Sequence, residues 1–154
     1  MKSHDLLKSA QDLVQSGNGK PRQSNLLRAT STIYYSLFHS LARCCADMMI
    51  GGSSSERSKL AWQQVYRALE HGFCKNACKH GKLAHFPQEI QDFANAFVTL
   101  QEKRHKADYD PYEKTKKSTV LADISTAHTA IEGFEGRNLK DRRAFAAFVL
   151  FKQR

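Results

Sequence analysis

The segment from Ser24 to Ile50 limits the possible folds of this chain more than any other part of its sequence. Its inward-facing positions recur every three or four residues, which is the spacing of one face of an α-helix. These positions are Leu26, Leu27, Thr30, Ile33, Tyr34, Leu37, Phe38, Leu41, Cys44, Cys45 and Met48. The pattern continues for about seven turns, so it predicts one long helix with a buried face, ended by the glycines at 51 and 52.

Shorter patterns of the same kind predict five further helices and no β-strand. They are a first helix through Leu6–Val14, a third through Trp62–Phe73, a fourth from Pro87 to just before Asp110, a fifth over about Lys117–Phe134 and a last one over Leu139–Lys152. Asn138 is placed to cap the last helix, and residues 74–86 are expected to form a basic loop. The sequence thus predicts a single all-α domain over residues 1–154, an antiparallel bundle of four to five main helices plus a C-terminal helix.

The composition is that of a globular domain. The chain has 154 residues, 41% of them hydrophobic, and a mean hydropathy of −0.56. Its longest apolar run, Ala144–Phe151, is far shorter than the ~20 residues that a membrane-spanning helix needs. The first residues lack the apolar core of a secretory signal, and four cysteines are too few for a disulfide framework. We therefore expect a cytoplasmic protein without a membrane segment.

The charge of the chain is strongly basic. Lysine and arginine number 24 against 15 acidic residues, which gives a net charge of +9. Residues 137–154 alone carry six cations and one carboxylate. Phosphate backbones are attracted to such surfaces whatever their sequence. The charge therefore predicts contact with RNA or another polyanion, and the alternative is a merely solvated basic surface.

The second predicted helix also carries a polar face. At about 100° per residue, this face holds Arg28, Thr32, Tyr35, His39 and Arg43. Two cations, a phenol and an imidazole in one row are able to contact a partner subunit, a phosphate or a base. The alternative is an ordinary polar face that includes one aromatic residue.

Arg104 continues the apolar stripe of the fourth predicted helix, since it follows Leu100 by four residues. A guanidinium in a low-dielectric position needs a partner. The nearest one is Asp108 at i+4, and Tyr35 and Tyr109 are further expected neighbours. Arg104 is therefore either half of a buried ion pair that closes the helix end, or a cation that binds a phosphate or stabilises a transition state.

Two short motifs link these residues. The first is Tyr34-Tyr35-x-x-Phe38-His39, and the second is Arg104-x-x-Ala107-Asp108-Tyr109. In this order and at this distance they resemble the HEPN superfamily of small helical-bundle proteins, most closely an uncharacterised bacterial branch, over about residues 24–134. The resemblance implies a dimeric bundle of four to five helices with its polar motif residues near the dimer cleft. It also implies action on RNA, or pairing with a minimal nucleotidyltransferase, in toxin–antitoxin or defence systems.

The catalytic motif of the superfamily is missing from this chain. HEPN ribonucleases carry an arginine that is followed, after four to six residues, by a histidine. The eligible positions after Arg104 are Tyr109, Asp110 and Pro111. His105 points about 100° away from Arg104 around the helix, and His39 is the other base that the motifs offer. The predicted function is therefore binding of RNA or another polyanion without efficient catalysis.

Two alternative functions stay open. One is a metal-independent endoribonuclease of toxin or defence type, in which Arg104 acts with His39 or His105. The other is a regulatory partner or substrate of a nucleotidyltransferase, with Tyr109 as the modified hydroxyl. The predicted ligand-binding residues are Arg28, Tyr35, His39, Arg104, Asp108 and Tyr109.

The basic segment after the third predicted helix contains five residues of metal-binding type. They are His71, Cys74, Cys78, His80 and His85. Zinc modules more often combine a cysteine pair with a second, distant ligand pair. We therefore interpret these residues as ordinary loop residues, with zinc as the less favoured alternative, and predict no metal and no cofactor. His128, on the inner face of the fifth predicted helix, is interpreted as a hydrogen-bonded core histidine.

The last predicted helix is apolar around almost its whole circumference. Its apolar residues are Phe145, Phe148, Val149, Leu150 and Phe151. A helix of this kind needs cover on more than one side, and in a domain of this size a second subunit is the natural cover. The sequence therefore predicts a homodimer. A membrane-surface helix is the weaker alternative, because the aromatic residues do not keep to one side.

Overall fold

The computed structural model describes residues 2–154, and these residues form helices but no β-strand. The α-helices are α1 (Ser3–Gln15), α2 (Gln23–Ile50), α3 (Lys59–Ala68), α4 (His71–Cys78), α5 (Gln88–Tyr109), α6 (Lys117–Glu135) and α7 (Leu139–Leu150), with one 3-10 turn at Gly81–His85. The prediction of an all-α chain is confirmed. No helix within residues 2–154 is both long enough and apolar enough to cross a membrane.

The long helix α2 lies at the centre of the bundle. It packs against α1, α3, α5, α6 and α7. Because neighbours surround it, even Ser36 is fully buried, and its hydroxyl donates a 2.6 Å hydrogen bond to the carbonyl oxygen of Ile33. The helix ends at Gly51, whose φ of 128° lies in the region that favours glycine. The predicted long helix and its end are both confirmed.

An aromatic core joins the C-terminal half of the fold. The rings of Phe93 on α5 and Phe134 on α6 are stacked 4.6 Å apart, and Phe145 of α7 lies 5.8 Å from Phe134. Phe145 and Val149 are fully buried within the single chain. Most of the apolar surface for which the sequence suggested a second subunit is thus covered by the protein itself. Phe151, which follows the helix, is the aromatic residue of this segment that stays 53% exposed.

The segment around α3 and α4 differs from the sequence-based prediction. The predicted helix through Trp62–Phe73 is two helices, because Leu69 and Glu70 have extended backbone between them. Leu69 turns inward and is buried, which fixes this break. The predicted basic loop at 74–86 was wrong as well, since it holds the second half of α4 and the 3-10 turn. The consequence for function is that His71, the first residue of α4, lies against α2.

Candidate functional site

Arg104 occupies the last turns of α5 and is only 9% exposed, as its position on the apolar stripe predicted. Its guanidinium carbon lies 5.1 Å and 5.7 Å from the ring centroids of Tyr34 and Tyr35 on α2. Both distances are within the range of a cation–π contact. The nearest carboxylate oxygen, from Asp108, is 3.6 Å away, and the buried Nε of Arg104 has no hydrogen-bond partner within residues 2–154. The charge of Arg104 is therefore only partly compensated.

Asp108 is held in place from α2 as well as from its own helix. The hydroxyl of Ser31 donates a 2.6 Å hydrogen bond to Asp108 Oδ1, while Oδ2 faces Arg104. The side chain of Asp108 is about one-third exposed. This carboxylate therefore orients Arg104 from the edge of the site and keeps contact with solvent.

His71 is the second ionisable group beside Arg104. Its Nδ1 lies 2.5 Å from the Tyr34 hydroxyl, and its ring stacks on Phe38 with centroids 4.0 Å apart. Burial lowers the pKa of His71 from its ordinary value, and the nearby charge of Arg104 lowers it further. The lowered pKa of His71 favours the neutral imidazole at pH 7. Burial raises the pKa of Tyr34, so its hydroxyl stays protonated and bonded to this imidazole.

A second tyrosine–histidine pair lies one turn further along α2. His39 Nδ1 is 2.5 Å from the hydroxyl of Tyr66 on α3, and the two rings are stacked. Burial, with a further effect from Arg43, lowers the pKa of His39. The ring of Tyr35 lies 6.1 Å from that of His39 and 5.9 Å from that of His71. Tyr35 therefore joins the two pairs into one cluster.

We call this group of side chains the Arg104 cluster. It consists of Ser31, Tyr34, Tyr35, His39, Tyr66, His71, Arg104 and Asp108. Four of the six predicted ligand-binding residues belong to it: Tyr35, His39, Arg104 and Asp108. The structure thus brings together residues from both sequence motifs.

Other predicted site residues lie outside the cluster. Tyr109 is 67% exposed, and its ring lies 4.9 Å from that of His105 on the outer side of α5. The prediction that Tyr109 contacts Arg104 was therefore wrong, because the helix carries the two residues to different faces. His105 points away from Arg104, as expected from its position in the helix. Arg28 is exposed near the start of α2.

Sequence reasoning missed four members of the cluster, which are Ser31, Tyr34, Tyr66 and His71. Tyr34 belongs to the first motif, but its place on the apolar stripe suggested a purely structural role. His71 was grouped with possible metal ligands, since no glycine or proline stands at the break at Leu69 that brings it to α2. The available signal was a histidine that could begin a helix and face the tyrosine pair of α2. It could be recognised only if the break at Leu69 was known.

The possible metal ligands are dispersed. Among residues 2–154 no three side chains of His, Cys, Asp or Glu are placed to hold a metal ion. The thiols of Cys74 and Cys78 are buried beside each other, and their mutual hydrogen bond, followed by burial, raises the pKa of Cys74. His71 faces Tyr34, while His80 accepts a hydrogen bond from the backbone N–H of Lys82.

The comparisons with known proteins give no relative for this arrangement. The chain matches no protein-family model, no curated protein and no solved structure. The chemistry available in the Arg104 cluster is a fixed, partly compensated cation beside a neutral imidazole and a phenolic hydroxyl. That set is able to bind an anion and to exchange a proton next to it.

Proposed function

We propose that this protein is a HEPN-like helical domain that binds RNA or another polyanion through the Arg104 cluster, without efficient cleavage. The observation that carries the proposal is the incompletely compensated guanidinium of Arg104. A buried cation whose Nε has no partner and whose carboxylate is 3.6 Å away has binding capacity left for an anion. The net charge of +9 favours a polyanionic ligand.

The surroundings of Arg104 suit RNA among the polyanions. Tyr35 and His39 are partly exposed, and Tyr66 stacks beside them. Aromatic rings next to a cation allow a base to stack while its phosphate meets the guanidinium. An inorganic polyanion would make no use of these rings, so the cluster favours a nucleotide chain.

Binding to a labelled single-stranded RNA, measured by fluorescence anisotropy, tests this proposal. Arg104→Ala should weaken binding at least tenfold, and Arg104→Lys should retain part of it because the charge remains. Arg143→Ala, which removes an exposed arginine on α7, is the matched control and should have a small effect. A folded Arg104→Ala variant that binds RNA like the wild type would contradict the proposal.

Cleavage of RNA is a second candidate function, and the position of His71 favours it. Neither His39 nor His105 contacts Arg104, whereas His71 and Arg104 both contact Tyr34. In such a reaction the 2′-oxygen would attack phosphorus while neutral His71 accepts its proton. The 5′-oxygen would leave with a proton from water, and Arg104 would balance the charge on the phosphate.

The two functions are separated by His71→Ala. If the protein cleaves RNA, this variant should lose the 2′,3′-cyclic phosphate product and keep most of its RNA affinity. A wild-type protein that binds RNA and leaves it intact over hours supports the binding function. Product formation that is unchanged in His71→Ala would exclude His71 as the base.

A further inference from the structure

A groove lined by lysines lies between α2, α5, α6 and the segment that connects α5 to α6. It consists of two hollows of about 410 Å³ and 690 Å³ whose walls share Lys114, Thr115 and Lys116. The ionisable side chains that line it are Lys20, Lys103, Lys106, Lys114, Lys116, Lys117, Glu113 and Asp123. Six lysines against two carboxylates give this lysine groove a net charge of +4, a large share of the excess charge of the chain.

Most of this positive charge is free to meet a ligand. Lys103 is paired with Asp123 at 2.8 Å. None of the other five lysines forms an ion pair within residues 2–154, and all five are exposed. Five unpaired lysines with one carboxylate, Glu113, among them repel each other, and an anion in the groove would relieve that repulsion.

The segment that carries two of these lysines is fixed to the bundle. The side-chain amide of Gln23, the first residue of α2, donates a 2.8 Å hydrogen bond to the Thr115 carbonyl oxygen. The Thr115 N–H donates a 3.0 Å hydrogen bond back to Gln23 Oε1. Lys114 and Lys116 flank this clamped residue, so their backbone positions are set before any ligand arrives. Preorganisation of this kind reduces the entropy lost on binding.

We propose that the lysine groove binds the sugar–phosphate backbone of single-stranded RNA, as a second surface beside the Arg104 cluster. This inference rests on the proposed function. Among residues 2–154 no aromatic side chain and no arginine line the groove. The lysines would therefore contact phosphates as point charges, without contacts that distinguish one base from another. A flexible single strand enters a recessed groove more readily than a duplex, whose phosphates lie in two rigid rows.

The position of the groove connects it to the Arg104 cluster. Ala107 lines the groove, and its neighbour Asp108 contacts both Ser31 and Arg104. A strand that leaves the groove along α5 would therefore pass towards Asp108 and Arg104. The lysine groove would supply sequence-independent affinity, and the Arg104 cluster would receive one nucleotide.

The test is the salt dependence of binding to a fluorescein-labelled 20-nucleotide oligouridine, measured with the full chain. Lys114→Gln/Lys116→Gln/Lys117→Gln should weaken binding about tenfold or more near physiological salt. It should also reduce the slope of log K against log salt by about 2, since each lost phosphate contact on a single strand removes about 0.7. Thermal melts by circular dichroism verify that each variant is folded.

The matched control removes the same charge elsewhere. Lys59→Gln/Lys79→Gln/Lys140→Gln changes three exposed lysines that do not line the groove. Equal losses of RNA affinity in the two triple variants would contradict the lysine groove as a binding surface, while the proposal of RNA binding would stand. No RNA binding by the wild type would overturn both proposals. A wild type that prefers duplex RNA or inorganic polyphosphate to the oligouridine would overturn the single-stranded assignment.

A charge-neutral variant separates a built groove from a diffuse basic surface. Gln23→Ala releases Thr115 without altering any charge, and it should weaken RNA binding severalfold with the salt slope nearly unchanged. Gln64→Ala, on the exposed side of α3, is the control and should bind like the wild type. If Gln23→Ala binds like the wild type as well, the clamp does not organise the groove and this part of the proposal fails.

Discussion

At the scale of single residues, the Arg104 cluster contains a charge that the fold does not fully satisfy. The faces of Tyr34 and Tyr35 partly replace water around the guanidinium, and Asp108 approaches from the edge of the site. Burial of a cation is expensive unless hydrogen bonds and an ion pair compensate for it. An apolar residue at this position would stabilise the fold better than a buried arginine. The presence of an arginine therefore favours a role in ligand binding.

Arg104→Ala should therefore destabilise the protein only moderately, by about 2 kcal/mol. This loss of stability is smaller than the ~3–5 kcal/mol expected for breaking a fully buried ion pair, because Asp108 keeps Ser31 and solvent as partners. It exceeds the ~1 kcal/mol of an exposed pair, because packing against two tyrosines is lost. Chemical denaturation measures the loss, with Arg104→Met as a control that keeps the packing. A loss above about 4 kcal/mol would assign Arg104 to the scaffold instead.

The two histidines of the cluster make stability depend on pH. The pKa values of His39 and His71 are lowered in the folded state, so the unfolded chain binds more protons as the pH falls below about 6.5. Their contribution to stability is complete above that pH and is progressively lost below it. We expect a lower denaturation midpoint at pH 5.5 than at pH 7.5.

Substitution of both histidines tests this assignment. His39→Gln/His71→Gln should reduce the difference between the midpoints at the two pH values, whereas His85→Gln, at an exposed position, should leave the difference unchanged. An identical pH dependence in the double variant and the wild type would show that other groups cause it.

At the scale of helices, the sequence predicted well wherever one apolar face was continuous. The bounds of α2 and α6 agree with the predicted ones within about two residues, and Asn138 caps α7 by accepting a hydrogen bond from the N–H of Asp141, as expected. The break between α3 and α4 was not predicted, because no glycine or proline stands at Leu69 or Glu70 and the nearest glycine, Gly72, lies within α4. There, burial of Leu69 outweighs helix propensity.

Some residues of the candidate site were predictable from the sequence and others were not. Helical spacing identified four of the site residues. It placed Tyr35 and His39 on the polar face of α2, and it placed Arg104 on the apolar stripe of α5 with Asp108 one turn later. His71 could not be identified in this way, since its contact with Tyr34 depends on the unpredicted break. His128 shows the opposite error: predicted in the core, it lies at the border of the buried face of α6 and is 46% exposed, 3.4 Å from Glu132.

The position of α3 over α2 depends on one carboxylate. Asp47 near the end of α2 accepts hydrogen bonds from Trp62 Nε1 at 2.8 Å and from Arg57 at 3.0 Å, and the Arg57 guanidinium also lies over the Trp62 ring. Through Trp62 and its neighbour Tyr66, this contact places α3 against His39. The second tyrosine–histidine pair therefore depends on Asp47.

Asp47→Ala should destabilise the protein by about 2 kcal/mol, since two hydrogen bonds to a charged acceptor are lost. The chain has a single tryptophan, so its fluorescence reports α3 alone and should shift towards the red. Asp12→Ala, which breaks the exposed pair with Lys8, is the control and should change stability by less than about 0.5 kcal/mol. Unchanged tryptophan emission in Asp47→Ala would show that α3 is held by its apolar contacts.

At the scale of the whole molecule, two clusters of basic residues differ in how their charge is used. At the α6–α7 corner, Arg137 pairs with Asp141 at 2.6 Å and approaches Glu89, and Arg142 donates a hydrogen bond to the Arg137 carbonyl oxygen. These arginines hold the corner together. In the lysine groove one cation, Lys103, is used in an ion pair with Asp123, and the other five lysines form none within residues 2–154. Because two of the six C-terminal cations are used at the corner, we expect the groove, rather than the C-terminal charge that is conspicuous in the sequence, to contact RNA.

The homodimer predicted from the sequence now requires a different surface. Phe145 and Val149 of α7 are covered within the chain, whereas Tyr109 and Tyr112, at the end of α5, are 67% and 89% exposed. We therefore expect a second copy to bind at these two aromatic residues, of which Tyr109 belongs to the second sequence motif. Light scattering should therefore give twice 17.5 kDa at micromolar concentration.

Two variants decide which surface makes this dimer. Tyr109→Ser/Tyr112→Ser should shift the mass towards 17.5 kDa, because it removes most of the apolar area that the contact would bury. Phe151→Ser, which changes an exposed aromatic residue beyond α7, should leave the dimer intact. If Phe151→Ser dissociates the dimer and the tyrosine variant does not, the dimer contact lies at the C-terminal helix instead. A wild type that stays at 17.5 kDa up to high micromolar concentration would contradict the homodimer itself, and the Arg104 cluster would then have to bind its ligand within a single chain.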